Sequence, residues 1–563
     1  MTLMVAIAAR RRLPAEVIVM RAAILALVAF LLLAIAFPLA MLLSKSLQDG
    51  QGRFVGLANY VHYFTTPALV ESLWNSTWVA ALSTLLVVPP AFVYAYAIAR
   101  ACIPVKSLFM ALALLPLFAP SLLSAISLIY IFGNQGFLKG WLMGGTIYGP
   151  IGIVMAQVLY CFPHALMILV TALGLADGRL YEAAAAMGTP RWRVFTTVTL
   201  PSVRYGLISA AFVVFTLVMT DFGIAKVIGG QFNVLATDAY KQMIGQQNFA
   251  MGAVVGVVLL LPAVLAFAFD RHVQRRQVAL LSARAVPLQP KRNRFKDASL
   301  AAYCLLIGGA ITAVLAVSVW GSFVTYWPYN LSLSLRNYDF EAFEPNGIGP
   351  YFASLKMAAL ATVVGTTIVF CGAYLIEKGQ GFRLARAMAH LLAMLPVAVP
   401  GLVLGLGYVF FINARWNPLG VLYGTIALLA INSIAHFYTT AHVTAVTALK
   451  QIDNEFESVS ASLKVPFYRT FLRVTVPICM PAILDIAVYM FVNALTTVSA
   501  VIFIYGATNK LASISVVHMD EAGATAAAAA MATLIVLTAL AIKVLHVVLD
   551  RLVFGQLQAW RKR

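Results

Sequence analysis

Long apolar runs separated by short polar segments set the rhythm of the chain. From Ala22 to Ser44 no residue carries a charge. About eleven similar runs follow, so that roughly twelve are centred near residues 33, 86, 120, 160, 214, 259, 312, 365, 398, 434, 491 and 537. A hydrocarbon layer about 30 Å thick is crossed by a helix of ~20 apolar residues. The pattern therefore predicts an all-α membrane protein of about twelve transmembrane helices. Pro116 and Pro120 in the third run, and Pro396 and Pro400 in the ninth, are placed to bend those helices. Gly252 with Gly256, Gly401 with Gly405 and Gly420 with Gly424 have the spacing that lets helices pack closely.

Composition agrees: 62% of residues are hydrophobic and 10% charged, with a mean hydropathy of +0.90. Soluble domains are about a quarter charged, which excludes a water-soluble protein. The net charge of +19 does not point to nucleic acid, because Lys and Arg collect in the cytoplasmic loops of membrane proteins. With the N-terminus inside, about eight of the 39 basic residues fall in outer loops: Lys45, Arg53, Lys139, Lys226, Lys241, Arg336, Arg415 and Lys510. An even helix count places Arg561, Lys562 and Arg563 inside as well. Arg10, Arg11, Arg12 and Arg21 precede the first run as in a signal peptide. That run is too long and lacks a small-residue cleavage site, so a retained first helix is expected. Cys102, Cys161, Cys304, Cys371 and Cys479 avoid the outer loops and predict no disulfide framework.

The chain repeats itself. Ala80-Ala81-Leu82-Ser83-Thr84 recurs as Ala358-Ala359-Leu360-Ala361-Thr362, Leu115-Pro116 with Pro120 as Leu395-Pro396 with Pro400, and Leu57, Asn59 and Tyr60 as Leu335, Asn337 and Tyr338. Two parallel six-helix repeats follow, related by an axis along the membrane normal. The expected organisation is a cytoplasmic tail (1–21), a first half (22–270, with its core at about 72–270), a cytoplasmic linker (271–299), a second half (300–550, core at about 350–549) and a cytoplasmic tail (551–563). The linker carries Arg271, Arg275, Arg276, Arg284, Lys291, Arg292, Arg294 and Lys296.

The loop between the fourth and fifth runs contains Glu182-Ala183-Ala184, Gly188, and Val198-Thr199-Leu200-Pro201. Alanines favour a short helix over Tyr181 to Met187, and Gly188 suits a left-handed cap. Thr189 can cap a second helix with Pro190 at its first position, running from Arg191 to Leu200 and stopped by Pro201. This is a helix–turn–helix knob. It recurs in altered form. Ser458-Val459-Ser460 replaces the Glu-Ala-Ala triplet with Glu457 one position early, Lys464 replaces the glycine, and Pro466 and Pro477 keep the prolines.

The spacing Glu-Ala-Ala-x3-Gly-x9-Val-x-Leu-Pro resembles the coupling loop of importer permeases in the ATP-binding-cassette superfamily, of the type I importer fold. The resemblance implies a bacterial inner-membrane subunit. It implies as partners two copies of an ABC ATPase, docked at Glu182, Ala183, Ala184, Gly188, Pro190, Leu200 and Pro201 of the first loop and at Glu457, Ser458, Val459, Lys464, Pro466 and Pro477 of the second. An extracytoplasmic solute-binding protein and the lipid bilayer complete the list; no nucleic acid is expected. The altered second loop predicts that the first half transmits more of the stroke. No phosphate-binding GxxxxGK[ST] loop occurs, so no cofactor is expected on this chain, ATP acting through the partner ATPase, and the chain itself is not expected to be an enzyme. Most of its length, including Gly56 to Val61, Thr220 to Gly230, Leu235 to Asp238 and Ser513 to Gly523, resembles 2-aminoethylphosphonate importer permeases. Lys226 and Lys241 suit an anion. A ferric-iron importer is the alternative, and a twelve-helix secondary transporter the alternative of another class.

Buried ionisable residues come last. Asp221, at the end of the fifth run, is placed to line a pathway or to cap a helix break at Gly223. Asp485 is expected to pair or snorkel. Lys356 begins the eighth run. His164, His436 and His442 read as hydrogen-bonded packing residues, with no metal spacing among them.

Overall fold

A computed structural model describes residues 15–280, 288, 290, 292–379, 381–453 and 455–554. Among them, nine helices are long and apolar enough to cross a membrane, and three further helix pairs are bent, giving up to twelve spans. The chain is all-α in its membrane part, with the architecture of the type I importer permease. One small hairpin was not foreseen. Its strands, β1 (Val324–Tyr326) and β2 (Asn330–Leu333), pair antiparallel after the seventh span. Between them Trp327 packs at 4.8 Å from Tyr130 and 5.3 Å from Trp320, an aromatic cluster of the kind found at membrane interfaces.

The paired prolines break the third and ninth spans. Lys106–Phe118 meets Ser121–Phe132 at 99°, and Arg383–Ala398 meets Gly401–Ile412 at 117°. Both breaks are filled in the same way with the residue types exchanged. In the first half Ser121 sits against Gly223, where an added Cβ would lie 2.7 Å from the serine Oγ. In the second half Gly401 sits against Ser499, at 3.0 Å by the same measure. Glycine on one side admits the serine on the other. The eleventh span is also broken, between Phe467–Ile478 and Met480–Thr496, at 77°. Its counterpart, Arg191–Thr220, runs unbroken. The difference is Pro481. It cannot donate to Pro477 four residues back, and its ring crowds that carbonyl; the first half has Tyr205 there.

The two halves interlock. Phe37–Ser46, the end of the first span, lies against Gly401–Ile412 of the second half. Tyr408 Oη donates to the Ala34 carbonyl at 2.8 Å, and Gly407 allows the Pro38 carbonyl to approach. Reciprocally the seventh span, Arg294–Phe323, lies against Lys106–Phe132 of the first half, with a 2.7 Å hydrogen bond between the Ser127 and Ser318 hydroxyls. The repeated Asn-Tyr pair finishes each opening span. Asn59 Nδ2 donates to Ser46 O and Gln48 O, and Asn337 Nδ2 donates to Ser322 O and Val324 O. The tyrosines Tyr60 and Tyr338 bond the Ser46 and Ser322 hydroxyls.

The expected linker, 271–299, is shorter than its sequence suggested. Helix continues to Leu280 and resumes at Arg294. Its end is fastened to the first half: Lys296 Nζ donates to Arg100 O at 2.7 Å, and Asp297 Oδ1 accepts from Cys102 N at 3.1 Å. Arg284 and Lys291 of the linker, Arg10, Arg11 and Arg12, and Arg561, Lys562 and Arg563 lie outside the described residues. Gly420 and Gly424 are not a packing pair. Gly420 is in a short 3₁₀ turn, and Gly424 turns the chain at φ +73° against Gly506. Gly252 and Gly256 do meet neighbours, Met243 and Leu406.

Candidate coupling loops

The fourth and tenth spans (Pro150–Gly174 and Ile426–Lys450) end at the same side of the molecule as the second and eighth (Pro67–Arg100 and Gly349–Glu377). Each then enters a helix–turn–helix knob. The first knob begins with Gly178–Ala186, one turn earlier than its alanines suggest, because the Asp177 side chain caps it by accepting from Arg179 N. Glu182 and Ala183 are exposed, and Ala184 is buried beneath them. The helix closes with Gly188 N donating to Ala185 O and Thr189 N to Ala184 O, each at 3.0 Å. That closure needs a left-handed residue, and Gly188 has φ +65°.

Beyond the turn, two expectations fail. Pro190 itself is the cap of Arg191–Val194, with ψ 147°, while Thr189 spends its amide on the first helix. Pro201 stops nothing. A wide π turn, Phe195–Thr199, has Leu200 N bonded to Phe195 O, five residues back, and the chain runs on into Leu200–Thr220. Widening the turn just before the proline moves carbonyls away from its ring. The same wide turn, Phe471–Thr475, precedes Pro477.

The second knob, Glu455–Ser462 followed by Phe467–Thr470, keeps this geometry with different residues. Pro466 caps the second helix as Pro190 does. Val465 N donates to Ser460 O at 2.9 Å, equivalent to the Thr189 bond. Lys464 takes the glycine's place at φ +53°, a conformation that costs a residue with a Cβ about 1–2 kcal/mol. Lys464→Gly is therefore expected to stabilise this knob by about 1 kcal/mol, slowing amide exchange across 455–470 by roughly fivefold. Unchanged exchange there would contradict it.

Glu457 corrects the sequence reading most clearly. Both of its carboxylate oxygens are buried, and the group faces Lys378 at 3.6 Å. It points into the molecule rather than outward from the knob. Ser458 and Val459 are exposed. An exposed acid on this helix is Glu455, one turn earlier and on the Ser458 face. Sequence reasoning also missed the apolar rim. Leu180, Met187 and Trp192 on the first knob, and Phe456, Leu463 and Leu472 on the second, are exposed. Large apolar side chains in otherwise polar loops were the available signal, and such patches mark interaction surfaces.

Asp221 is engaged in structure. Its Oδ2 accepts from Ile224 N at 2.9 Å, in the first turn of the helix Gly223–Ile228, and from Gln157 Nε2 at 3.2 Å. Asp485 pairs with His546 at 3.4 Å. His164 Nδ1 lies 3.3 Å from Tyr160 O, and His442 meets His390, a partner the sequence did not reveal, at 3.3 Å. At the end opposite the knobs, Lys226 forms an ion pair with Glu521 of the other half and lies over the Tyr240 ring at 4.8 Å. Lys241 donates to the Asn233 side chain. Of the two lysines that suit an anion, Lys226 is thus neutralised within the protein, whereas Lys241 is exposed and bonds a neutral amide. Beside them opens a cavity of about 560 Å³ lined by Ile244, Glu344, Tyr423, Phe503, Lys510 and His518. Its buried acid, Glu344, is held by Lys510 at 2.7 Å and by Ser515.

Two interlocked halves of up to six spans each, with a helix–turn–helix knob on each, give the chain the layout of a membrane permease. Residues 91–278 match the family of binding-protein-dependent transport system inner membrane components. A ferric transport system permease protein of Actinobacillus pleuropneumoniae is 25% identical over 92% of this chain and 77% of its own length. A Haemophilus influenzae protein named for ferric transport is 26% identical over 79% of this chain and 71% of its own. A thiamine transport system permease of Escherichia coli is 24% identical over 69% and 71%.

Proposed function

We propose that this chain carries 2-aminoethylphosphonate, or a closely related phosphonate, across the inner membrane, driven by two copies of a separate ATPase docked on its knobs and supplied by an extracytoplasmic solute-binding protein. The knobs and both termini then face the cytoplasm, and the Lys226–Glu521 end faces outward. Transport follows from alternating access: closure of the ATPase pair moves the knobs, and the spans carrying them open the far end.

One observation carries the substrate reading. Three of the four stretches that resemble phosphonate permeases come together in space: Gly223–Ile228 packs against Ala512–Glu521 across the two halves, joined by Lys226 and Glu521. Leu235–Tyr240 is beside them, with Tyr240 stacked 6.2 Å from Phe503. Electrostatics adds little support, because Lys226 is paired with Glu521. The ferric relatives favour a second reading, import of ferric iron. Growth of a deletion strain separates the two. Failure with 2-aminoethylphosphonate as sole phosphorus source, reversed by the gene, is expected. Normal growth there with failure under ferric-iron limitation would transfer the assignment to iron.

A further inference from the structure

We infer that Arg100 and Lys378 are positioning residues that fasten each knob to the ends of two spans, so that knob movement is transmitted rather than absorbed. The inference rests on the knobs being the ATPase docking sites. Arg100 closes the second span, and Lys378 follows the eighth; the two are equivalent in the repeat. Both are largely withdrawn from solvent, Arg100 at 5% exposure as a residue and the Lys378 side chain at 5%. A buried cation demands compensation, and each finds it in the same two places.

The first place is the end of the span leading into the knob. Arg100 Nη2 donates to Leu173 O at 2.8 Å, in the last turn of the fourth span. Lys378 Nζ donates to Ile452 O at 3.0 Å, two residues beyond the tenth. A cation there also meets the negative end of the helix dipole. The second place is the first helix of the knob, at equivalent positions. The Arg100 guanidinium lies over the Tyr181 ring at 4.9 Å. Lys378 faces the Glu457 carboxylate at 3.6 Å. The flat guanidinium meets a ring and the compact ammonium a carboxylate, pairings suited to each cation. The two halves differ at both members of the pair, yet the bridge between span and knob is kept. That explains why the second knob's acid stands one position early: it serves the bridge.

The first bridge reaches farther. Arg100 O accepts from Lys296, where the second half begins. Movement of the first knob is thereby tied to the seventh span, which packs on the first half.

The test uses the permease purified with its ATPase and reconstituted in liposomes, in a Cys102→Ser background with Ile244→Cys in the outer cavity as reporter. A membrane-impermeant maleimide is the probe, with and without ATP and vanadate. The unmodified bridge should show a severalfold change in labelling on trapping; no change would sink the ATPase-coupled reading itself. Lys378→Gln and Arg100→Gln are expected to keep hydrolysing ATP while the labelling response falls at least fivefold. The transplanted pairs should restore the response: Lys378→Arg with Glu457→Tyr relative to Lys378→Gln, and Arg100→Lys with Tyr181→Glu relative to Arg100→Gln. Wild-type response in both glutamine variants would overturn the inference. So would a parallel loss of hydrolysis and response that neither paired variant repairs, since that marks a purely structural role.

Discussion

Gly188→Val is expected to lower ATP-driven uptake about tenfold while leaving the amount of protein in the membrane unchanged. Gly188 sits at φ +65°, where a β-branched residue is strongly disfavoured. Nothing lies within 4 Å of an added Cβ, so the effect comes from the backbone alone. Relieving about 1–2 kcal/mol of strain shifts populations by a factor of 5–30, and the available relief is to open the Ala184–Thr189 closure. The knob's two helices then lose their fixed angle. Gly188→Asn, whose residue tolerates the left-handed region, should retain most uptake. The pair is read by initial uptake rate against abundance by immunoblot. Full activity in the valine variant would show that the turn geometry does not matter for coupling.

Gly407→Leu is expected to reduce folded protein severalfold, through packing rather than coupling. An added Cβ at Gly407 would lie 2.6 Å from the Pro38 carbonyl oxygen and 2.9 Å from its carbon. Both are backbone atoms of packed helices and cannot rotate away. Overpacking of this kind costs about 1–3 kcal/mol, and here it pushes apart the contact that locks the first span onto the second half. Gly309→Leu is the matched control, because nothing lies within 4 Å of its Cβ. Fluorescence-detected size-exclusion chromatography should show a reduced, broadened peak for Gly407→Leu and a normal one for the control. Equal profiles would mean that the interlocked first spans do not stabilise the fold.

What the sequence revealed was local or repeated. Apolar runs located the spans, paired prolines located two of the three breaks, and the Asn-Tyr repeat marked a cap that both halves use. The third break falls beside Pro481, a single proline without the paired spacing that marked the other two. What remained hidden depended on partners distant in the chain. Glu457 reads as a surface acid until Lys378, 79 positions earlier, is placed beside it. Lys226 reads as a free cation until Glu521 arrives from the other half. The crossing of each opening span to the other half leaves no periodic signal, because lipid-facing and protein-facing positions are alike apolar. The first knob was legible because a turn of fixed geometry demands particular residues in order. The second was less so, since Lys464 accepts the strain that Gly188 avoids.

The most direct measurement is the stoichiometry of the complex, by native mass spectrometry after mild purification through a tag on this chain. One chain carrying two copies of a nucleotide-binding ATPase, both lost when Glu182, Gly188 and the apolar rims of the two knobs are altered together, is the predicted result. A chain that purifies without any ATPase, and whose transport follows an ion gradient in ATP-free liposomes, would contradict it.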